Sequence, residues 1–430
     1  MFKLFKKNTN KIKTLKGYQI LDSRGNPTIE VELVLENRIK VWSSVPSGAS
    51  TGKYEAVELR DQDSKDFGGK GVTQAIKNIE QKIFPAIKDI NITNQKQIDI
   101  AMLKLDGTKN KSSLGANAIL AVSEAVCRAG AIVSKKPLYK YIAEISENKN
   151  SLFCPRPFFN IVNGGVHAGS QIATQEFMVS PAFETFEENY KAAAEIYQVL
   201  KKILKEKFGQ NSELLGDEGG FAPVDFKNEK EVLETIKEAV KKAGYEGKTD
   251  FALDVAASEF YQNLKYNLGF KKPKDEIKTS EEMITFYKKL KQDFPNLISI
   301  EDPFDQTDFL AFAKLKREFQ NQVQIVADDL TVTNTTRIQK AIDHKSANAL
   351  LLKVNQIGTI TESIEAFKLA KQNEWKVMVS HRSGETTDDF IADFAVGVGA
   401  DQIKSGATAR GERVVKYNRL LYIEKAIKIS

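Results

Sequence analysis

Val323-Gln324-Ile325-Val326-Ala327-Asp328 is an apolar run that stops on a carboxylate, and Ala349-Leu350-Leu351-Leu352-Lys353 stops in the same way on an amine. The pattern extends to both sides. Phe251–Leu253 ends on Asp254, Leu297–Ile300 on Glu301 and Val377–Ser380 on His381, while Asp401–Ile403 runs into Lys404. From Asp328 onward the termini follow one another at 25, 28 and 23 residues, the length of one strand plus one helix. Helix-like segments at Thr335–Asp343, Thr361–Gln372 and Asp388–Val396 fill the gaps. Strand alternating with helix implies a parallel sheet covered by helices. If that sheet closes into a β/α barrel, the C-terminal ends of its strands converge on one face. Three carboxylates, two lysines and a histidine gathered there do not read as solvated surface. The expectation is an α/β enzyme with its active site at the mouth of a barrel. An open doubly wound sheet is the competing fold, and the number of units and the run of charged strand ends favour the closed barrel.

The 430 residues suit a barrel plus a smaller domain, since a barrel of this type takes about 250. The N-terminal part has a different texture. Thr28–Leu35 alternates apolar and polar, the period of a half-buried strand; Ile39–Val45 is its partner across the Glu36-Asn37-Arg38 turn. Pro46-Ser47-Gly48-Ala49-Ser50-Thr51-Gly52 is a loop of small residues, and Ala116–Ile132 is an Ala-rich helix with Ser113 as its expected N-cap. Ser146–Ser151, followed by Pro155 and Pro157, marks the expected boundary. Helices are also expected at Phe183–Phe208 and Asn228–Ala243, each stopped by a glycine. The expected layout is a basic leader over 1–15, an α+β domain over 16–145 and the barrel over 146–430.

A content of 41% apolar and 28% charged residues is ordinary for a globular chain. The formal charge of +6 is spread out, except for Lys3, Lys6, Lys7, Lys11, Lys13 and Lys16 at the start. That leader reads as a solvated tail rather than an arm for nucleic acid or membrane. Cys127 and Cys154 have no metal or CxxC spacing, which fits reduced thiols and a reducing compartment. No apolar run of about 18 residues suggests a membrane span, and the leader lacks a signal-peptide core, so the expected location is cytoplasmic. There is no P-loop, no G-x-G-x-x-G after a strand and no nucleophile elbow, which leaves nucleotide binding and acyl transfer without support.

Asp254, Glu301 and Asp328 offer the carboxylate oxygens that a hard divalent cation such as Mg²⁺ requires, and they are the wrong donors for structural zinc. Any one of them could instead be a helix cap. Lys353, closing a very apolar strand, is either a base whose pKa a neighbouring cation and burial would lower, or half of a salt bridge; Lys404 has the same two readings. Glu218 in Gly216-Asp217-Glu218-Gly219-Gly220 and His167 in Asn163-Gly164-Gly165-Val166-His167 are flanked by glycines that permit close ligand approach, or form ordinary turns. His381-Arg382-Ser383-Gly384-Glu385 combines a cation with a hydroxyl and suits a phosphate. Of the three histidines, His344 beside a helix end reads as structural.

In order along the chain, these segments resemble the enolase family. The resemblance is carried by Leu21-Asp22-Ser23-Arg24-Gly25-Asn26-Pro27-Thr28, the Pro46–Gly52 loop, Asn163–Ala168, Gln175-Glu176-Phe177-Met178 and Gly216–Gly220. It continues through Ala256–Glu259, Ser299–Asp302, Ala327–Leu330, Lys353–Gly358, Ser380–Glu385 and Gln402–Gly406, spanning about residues 16 to 425. The resemblance implies a small N-terminal α+β domain on a modified TIM-type β/α barrel whose early strands break the simple repeat. It implies the reversible conversion of 2-phosphoglycerate to phosphoenolpyruvate with two Mg²⁺ ions, and a homo-oligomer, with a dimer expected. It places Asp254, Glu301 and Asp328 on the first metal and Ser50 on the second. Lys353 becomes the base and Glu218 the acid, with Glu176 and His167 supporting that end of the substrate. Arg382 and Ser383 would hold the phosphate and Lys404 the carboxylate, with His381 also in the substrate site. A sugar-acid dehydratase of the wider superfamily, which lacks the phosphate-directed set, and a binding protein on the same fold are the alternatives. The C-terminal lysine through which some relatives bind partners is not present in Ile429-Ser430.

Overall fold

The computed structural model describes residues 10–48, 52–169, 171–269, 271–272 and 275–429. It begins with an antiparallel sheet, β1 (Ile12–Leu21), β2 (Pro27–Leu35) and β3 (Lys40–Ser44), in that order. The predicted alternation is realised in β2, where Ile29, Val31, Leu33 and Leu35 are fully buried and the residues between them face outward. The turn from β1 to β2 is built by Asp22, whose Oδ1 accepts the N–H groups of Arg24 and Asn26, both at 2.9 Å. Helix Ala116–Val133 covers β2 and β3, Thr73–Asn78 lies against β1, and Gln95–Asp106 packs behind them on Ala116–Val133.

Helix Ala116–Val133 is long and apolar enough to cross a membrane, but 83% of it is buried within the protein, and its polar residues are paired there, Glu124 with Ser43 and Arg128 with Asp388. Ser113 is not its N-cap: that position is Gly115, with φ of 96°. Among the described residues no side chain caps the helix; the Ala116 N–H donates to the Val57 carbonyl at 2.8 Å, and Asp106 Oδ2 holds the approach to it by accepting the N–H of Ser113 at 3.1 Å and of Leu114 at 2.7 Å. Elsewhere, Thr185 and Thr279 form capping boxes with Glu188 and Glu282 at the helices Phe186–Phe208 and Ser280–Asp293.

The remainder closes an eight-stranded barrel. Its strands are β4 (Arg156–Asn163), β5 (Glu176–Pro181) and β6 (Thr249–Asp254), then β10 (Leu297–Glu301), β11 (Gln324–Ala327), β12 (Ala349–Leu352), β13 (Lys376–Ser380) and β14 (Gln402–Lys404). Between them, β7 (Tyr261–Gln262), β8 (Lys265–Asn267) and β9 (Ile277–Lys278) form a small separate sheet. All barrel pairings are parallel except those of β5, which runs against both β4 and β6. The fold is therefore a modified TIM-type β/α barrel carrying a smaller α+β unit. Phe158, Met178, Ala252, Val326, Ala349, Leu351 and Met378 fill the barrel interior, while the alternate residues pack outward on the helices. Burial on both faces is why these strands read as unbroken apolar runs.

The N-terminal sheet is tied to the barrel beside the β13 end. Ser47 and Gly384 exchange backbone hydrogen bonds at 2.7 and 2.9 Å, and Ser44 Oγ donates to Thr386 Oγ1 at 2.9 Å. Ser44 N–H also donates to Asp388 at 3.1 Å.

Candidate active site

The predicted strand-end residues meet at one mouth. Asp254, Glu301 and Lys404 are the last residues of β6, β10 and β14, and Asp328, Lys353 and His381 are the first residues beyond β11, β12 and β13. Glu176 joins them from the start of β5, directly opposite Asp254 in the register. An antiparallel strand brings its first residue, not its last, to this face. One cavity is lined by Glu176, Glu218, Asp254, Asp328, Lys353, His381, Arg382, Ser383 and Lys404.

Lys404 Nζ donates to three carboxylates, Glu301 at 2.8 Å, Asp254 at 3.1 Å and Glu176 at 3.2 Å. Burial opposes its charge, but Asp254, Glu176 and Glu301 outweigh that and hold it well above the usual lysine range. One ammonium does not neutralise three buried acids. Burial, with Glu218's charge next, raises Glu176 well above the ordinary carboxylate value, and burial followed by Asp254's charge does the same to Glu301. Glu301 Oε2 is buried with no hydrogen-bond partner. An orphaned carboxylate oxygen in a surplus of negative charge is what a hard divalent cation would satisfy, so the donor set fits Mg²⁺.

Asp328 accepts from Lys353 Nζ at 2.5 Å and from Gln356 Nε2 at 2.8 Å. Burial alone would raise its pKa, yet Lys353 pulls it below the ordinary value. For Lys353, burial lowers the pKa but the Asp328 carboxylate outweighs it, and the lysine is held above its usual range. Of the two readings open for Lys353, the geometry shows the salt bridge: with Asp328 as its partner, it is an ion-paired cation.

Several contributors were not anticipated. Asp302 and Asp329, beside the predicted ligands in sequence, are part of the frame: Asp302 accepts the N–H groups of Asp328 at 3.0 Å and Asp329 at 2.8 Å. Asp302 itself sits at φ 41°, and Val332 and Thr333 at 45° and 55°, a left-handed run that costs β-branched residues dearly. It brings Thr333 Oγ1 to accept the Lys353 N–H at 3.0 Å and to donate to Gln356 Oε1 at 2.8 Å. No one-dimensional spacing signals this.

At the other end, Glu218 Oε2 accepts from Asn160 Nδ2 at 2.9 Å, and His381 Nε2 faces the same oxygen at 3.5 Å. Burial, above all, pushes the His381 pKa down to about 4. The glycines here are needed for close approach. A Cβ on Gly406, at φ 72°, would lie 2.5 Å from the Glu218 carbonyl oxygen.

The Arg382 fork, expected to await a phosphate, closes on Glu55 at 2.8 and 3.1 Å and on Asn355 Oδ1 at 3.0 Å. Glu55 was not foreseen, because its partner lies 327 residues away. Ser383, buried at the cavity wall, offers its carbonyl to Arg413 Nη2 at 2.6 Å. Ser50 lies outside the described residues, as does the His167 side chain; the His167 backbone belongs to the short turn Gly165–His167. His344, as expected, caps a helix, its Nδ1 at 2.8 Å from the Lys340 carbonyl.

A hollow of about 830 Å³ at the opposite mouth, among residues such as Arg156, Gln324 and Trp375, is larger than the mouth cavity. That end of a barrel serves stability, and the buried charges are at the other.

Comparison with known proteins agrees with the geometry. Residues 12–142 match the family model "Enolase, N-terminal domain", and residues 151–429 match "Enolase, C-terminal TIM barrel domain". A protein named Enolase from Solanum lycopersicum is 52% identical over 427 residues, covering 97% of this chain and 95% of the relative. With both domains matched and 52% identity over 97% of its length, the chain belongs to the enolase family.

Proposed function

We propose that the protein catalyses the reversible dehydration of 2-phospho-D-glycerate to phosphoenolpyruvate in glycolysis and gluconeogenesis, with two Mg²⁺ ions per site. Membership of the family makes it an enzyme of the phosphopyruvate hydratase class, a carbon–oxygen lyase. The observation that carries the finer reading is the joint presence, at one barrel mouth, of Lys353, Glu218 and the carboxylates around Lys404.

In this reading Asp254, Glu301 and Asp328 hold the first ion, and Ser50 reaches the second. When bound, the ions would stabilise the charge that develops on the substrate carboxylate as the C2 proton leaves. Lys353 removes the C2 proton. It can do so only once Asp328 is engaged elsewhere, because the ion pair keeps the amine protonated. Glu218 protonates the departing C3 hydroxyl. Lys353 follows β12 and Glu218 lies beside β4, three places round the ring, so base and acid approach the substrate from different sides. Glu176, His167 and His381 support the hydroxyl end, Lys404 takes the substrate carboxylate, and Arg382 with Ser383 takes the phosphate. A Lys base with Mg²⁺ is an established pattern of this superfamily and not a deduction from this chain.

We also propose a cytoplasmic homo-oligomer, a dimer in the simplest case. Supporting it, Tyr18 and Trp42 are each 39% exposed, with their rings 5.4 Å apart on the outer face of the N-terminal sheet.

The test is ultraviolet detection of phosphoenolpyruvate from 2-phosphoglycerate, with Mg²⁺ or a chelator, for wild type and Lys353→Ala. Mg²⁺-dependent product that falls by about 10²–10⁴ in the variant is expected. Folded wild-type protein that makes no product with Mg²⁺ present would sink the reading.

A further inference from the structure

Arg413, near the start of helix Gly411–Ile429, has the largest side chain among the fully buried residues and no part in the reaction described above. Its Nη1 lies 2.6 Å from His381 Nδ1 and donates to the Arg382 carbonyl at 2.5 Å. Its Nη2 donates to the carbonyls of Ser383 at 2.6 Å and Asp217 at 3.0 Å, and to Ser23 Oγ at 3.4 Å. The guanidinium is thus gripped by the two segments that carry the acid and the phosphate-directed residues.

A guanidinium has hydrogens to give and no lone pair to receive with. A ring nitrogen 2.6 Å from it must therefore present its own lone pair. A hydrogen on Nδ1 would set two donors head to head, and an imidazolium would also set two cations together. The His381 proton consequently sits on Nε2, which faces Glu218 Oε2 at 3.5 Å. That spacing suits a bond that tightens when substrate is bound. The same oxygen already accepts Asn160 Nδ2 at 2.9 Å. With two N–H groups aimed at Oε2, the proton of a neutral Glu218 is left with Oε1.

We propose that Arg413 is a positioning residue for the acid: by holding His381 as the Nε2–H tautomer it reserves Glu218 Oε2 as an acceptor and confines the transferable proton to Oε1. The catalytic consequence rests on Glu218 being the acid, while the tautomer does not.

Two measurements separate these. With three histidines in the chain, nitrogen-15 NMR of the imidazoles in the intact wild-type protein is tractable, His381 being assigned by its loss in His381→Gln. A bare Nδ1 and a protonated Nε2 at neutral pH are expected; Nδ1–H, or an imidazolium, overturns the proposal without any Arg413 variant having to fold. The kinetic arm compares Arg413→Met with Arg413→Lys, which keeps a donor. We expect kcat for 2-phosphoglycerate to fall about tenfold or more in the first, with KM changed much less, and to be partly restored in the second. In a Glu218→Gln background, Arg413→Met should cost nothing further. An undiminished second loss there, or an unchanged kcat in folded Arg413→Met, overturns the positioning role. If Glu218→Gln alone keeps full kcat, it is the assignment of the acid that fails, and the NMR result still decides the tautomer.

Discussion

Lys404 holds three buried carboxylates with one charge, and the balance it leaves can be measured. Replacing it in Lys404→Met leaves Glu176, Asp254 and Glu301 facing one another with no protein cation among them. Breaking a buried ion pair from one side costs about 3–5 kcal/mol. The variant should therefore unfold at lower temperature in chelator, recover part of the loss in Mg²⁺, and show a larger Mg²⁺-induced rise in Tm than wild type. An equal rise in both would show that the cation does not settle on these oxygens. Residue types at this scale were readable from the chain, since Asp254, Glu301, Asp328, Lys353 and Lys404 each end or follow an apolar run. Their partners were not. That Asp328 grips Lys353, or that Glu55 grips Arg382, depends on distances across the mouth that spacing along the chain does not encode.

Helix Gln95–Asp106 carries Asp99 into full burial against the first turn of Ile360–Gln372. Its carboxylate accepts Thr361 N–H at 3.0 Å, Thr361 Oγ1 at 2.6 Å, Ser123 Oγ at 2.7 Å and Gln95 Nε2 at 3.1 Å. Burial raises its pKa from 3.8 to about 6, and the hydrogen bonds only partly oppose this. The folded state thus binds the proton more tightly than the unfolded one. The associated stability is complete below about 3.8 and is lost as pH rises through about 6, a change of about 3 kcal/mol. Chemical denaturation across this window should show wild type losing ground to Asp99→Asn as pH rises, and a constant difference would exclude the effect. Gly406→Ala makes a second prediction for local structure. Its Cβ would stand 2.5 Å from the Glu218 carbonyl at a φ of 72°, costing more than about 1 kcal/mol of stability. We expect kcat to drop with it, measured on folded protein. The parallel strands were legible because burial on both faces leaves an apolar signature, whereas the reversal of β5 was not, since Glu176–Pro181 has the same apolar texture in either direction. Ser113 was misread because the chain enters the helix through Gly115 at φ 96°, with Ser113 held short of it by Asp106, seven residues earlier.

For the molecule as a whole, the outer face of the N-terminal sheet gives the clearest test of assembly. Trp42→Asp should shift the mass seen by light scattering from a multiple of 48.1 kDa to a single chain. Wild type that already runs as one chain would remove the oligomer proposal. Fold class was legible at this scale because six strand ends share one apolar-to-charged pattern, nearly evenly spaced from Asp328 onward, and the closure of the barrel through β4 and β5 was not, because those strands lie outside that pattern. Closure also ties the start of the chain to its end. Arg413 reaches Ser23 across 390 residues, Thr386 meets Ser44 across 342, and Arg382 meets Glu55 across 327. Domains fold N-terminus first as the ribosome delivers them, at about 5–20 residues per second. Glu55 and Ser23 therefore emerge early and wait for partners that are translated last. A chain interrupted before Arg413 holds every metal-directed carboxylate named here but not the buried guanidinium that clasps the acid's segment to the phosphate-directed one, so competence should arrive as one late event in synthesis.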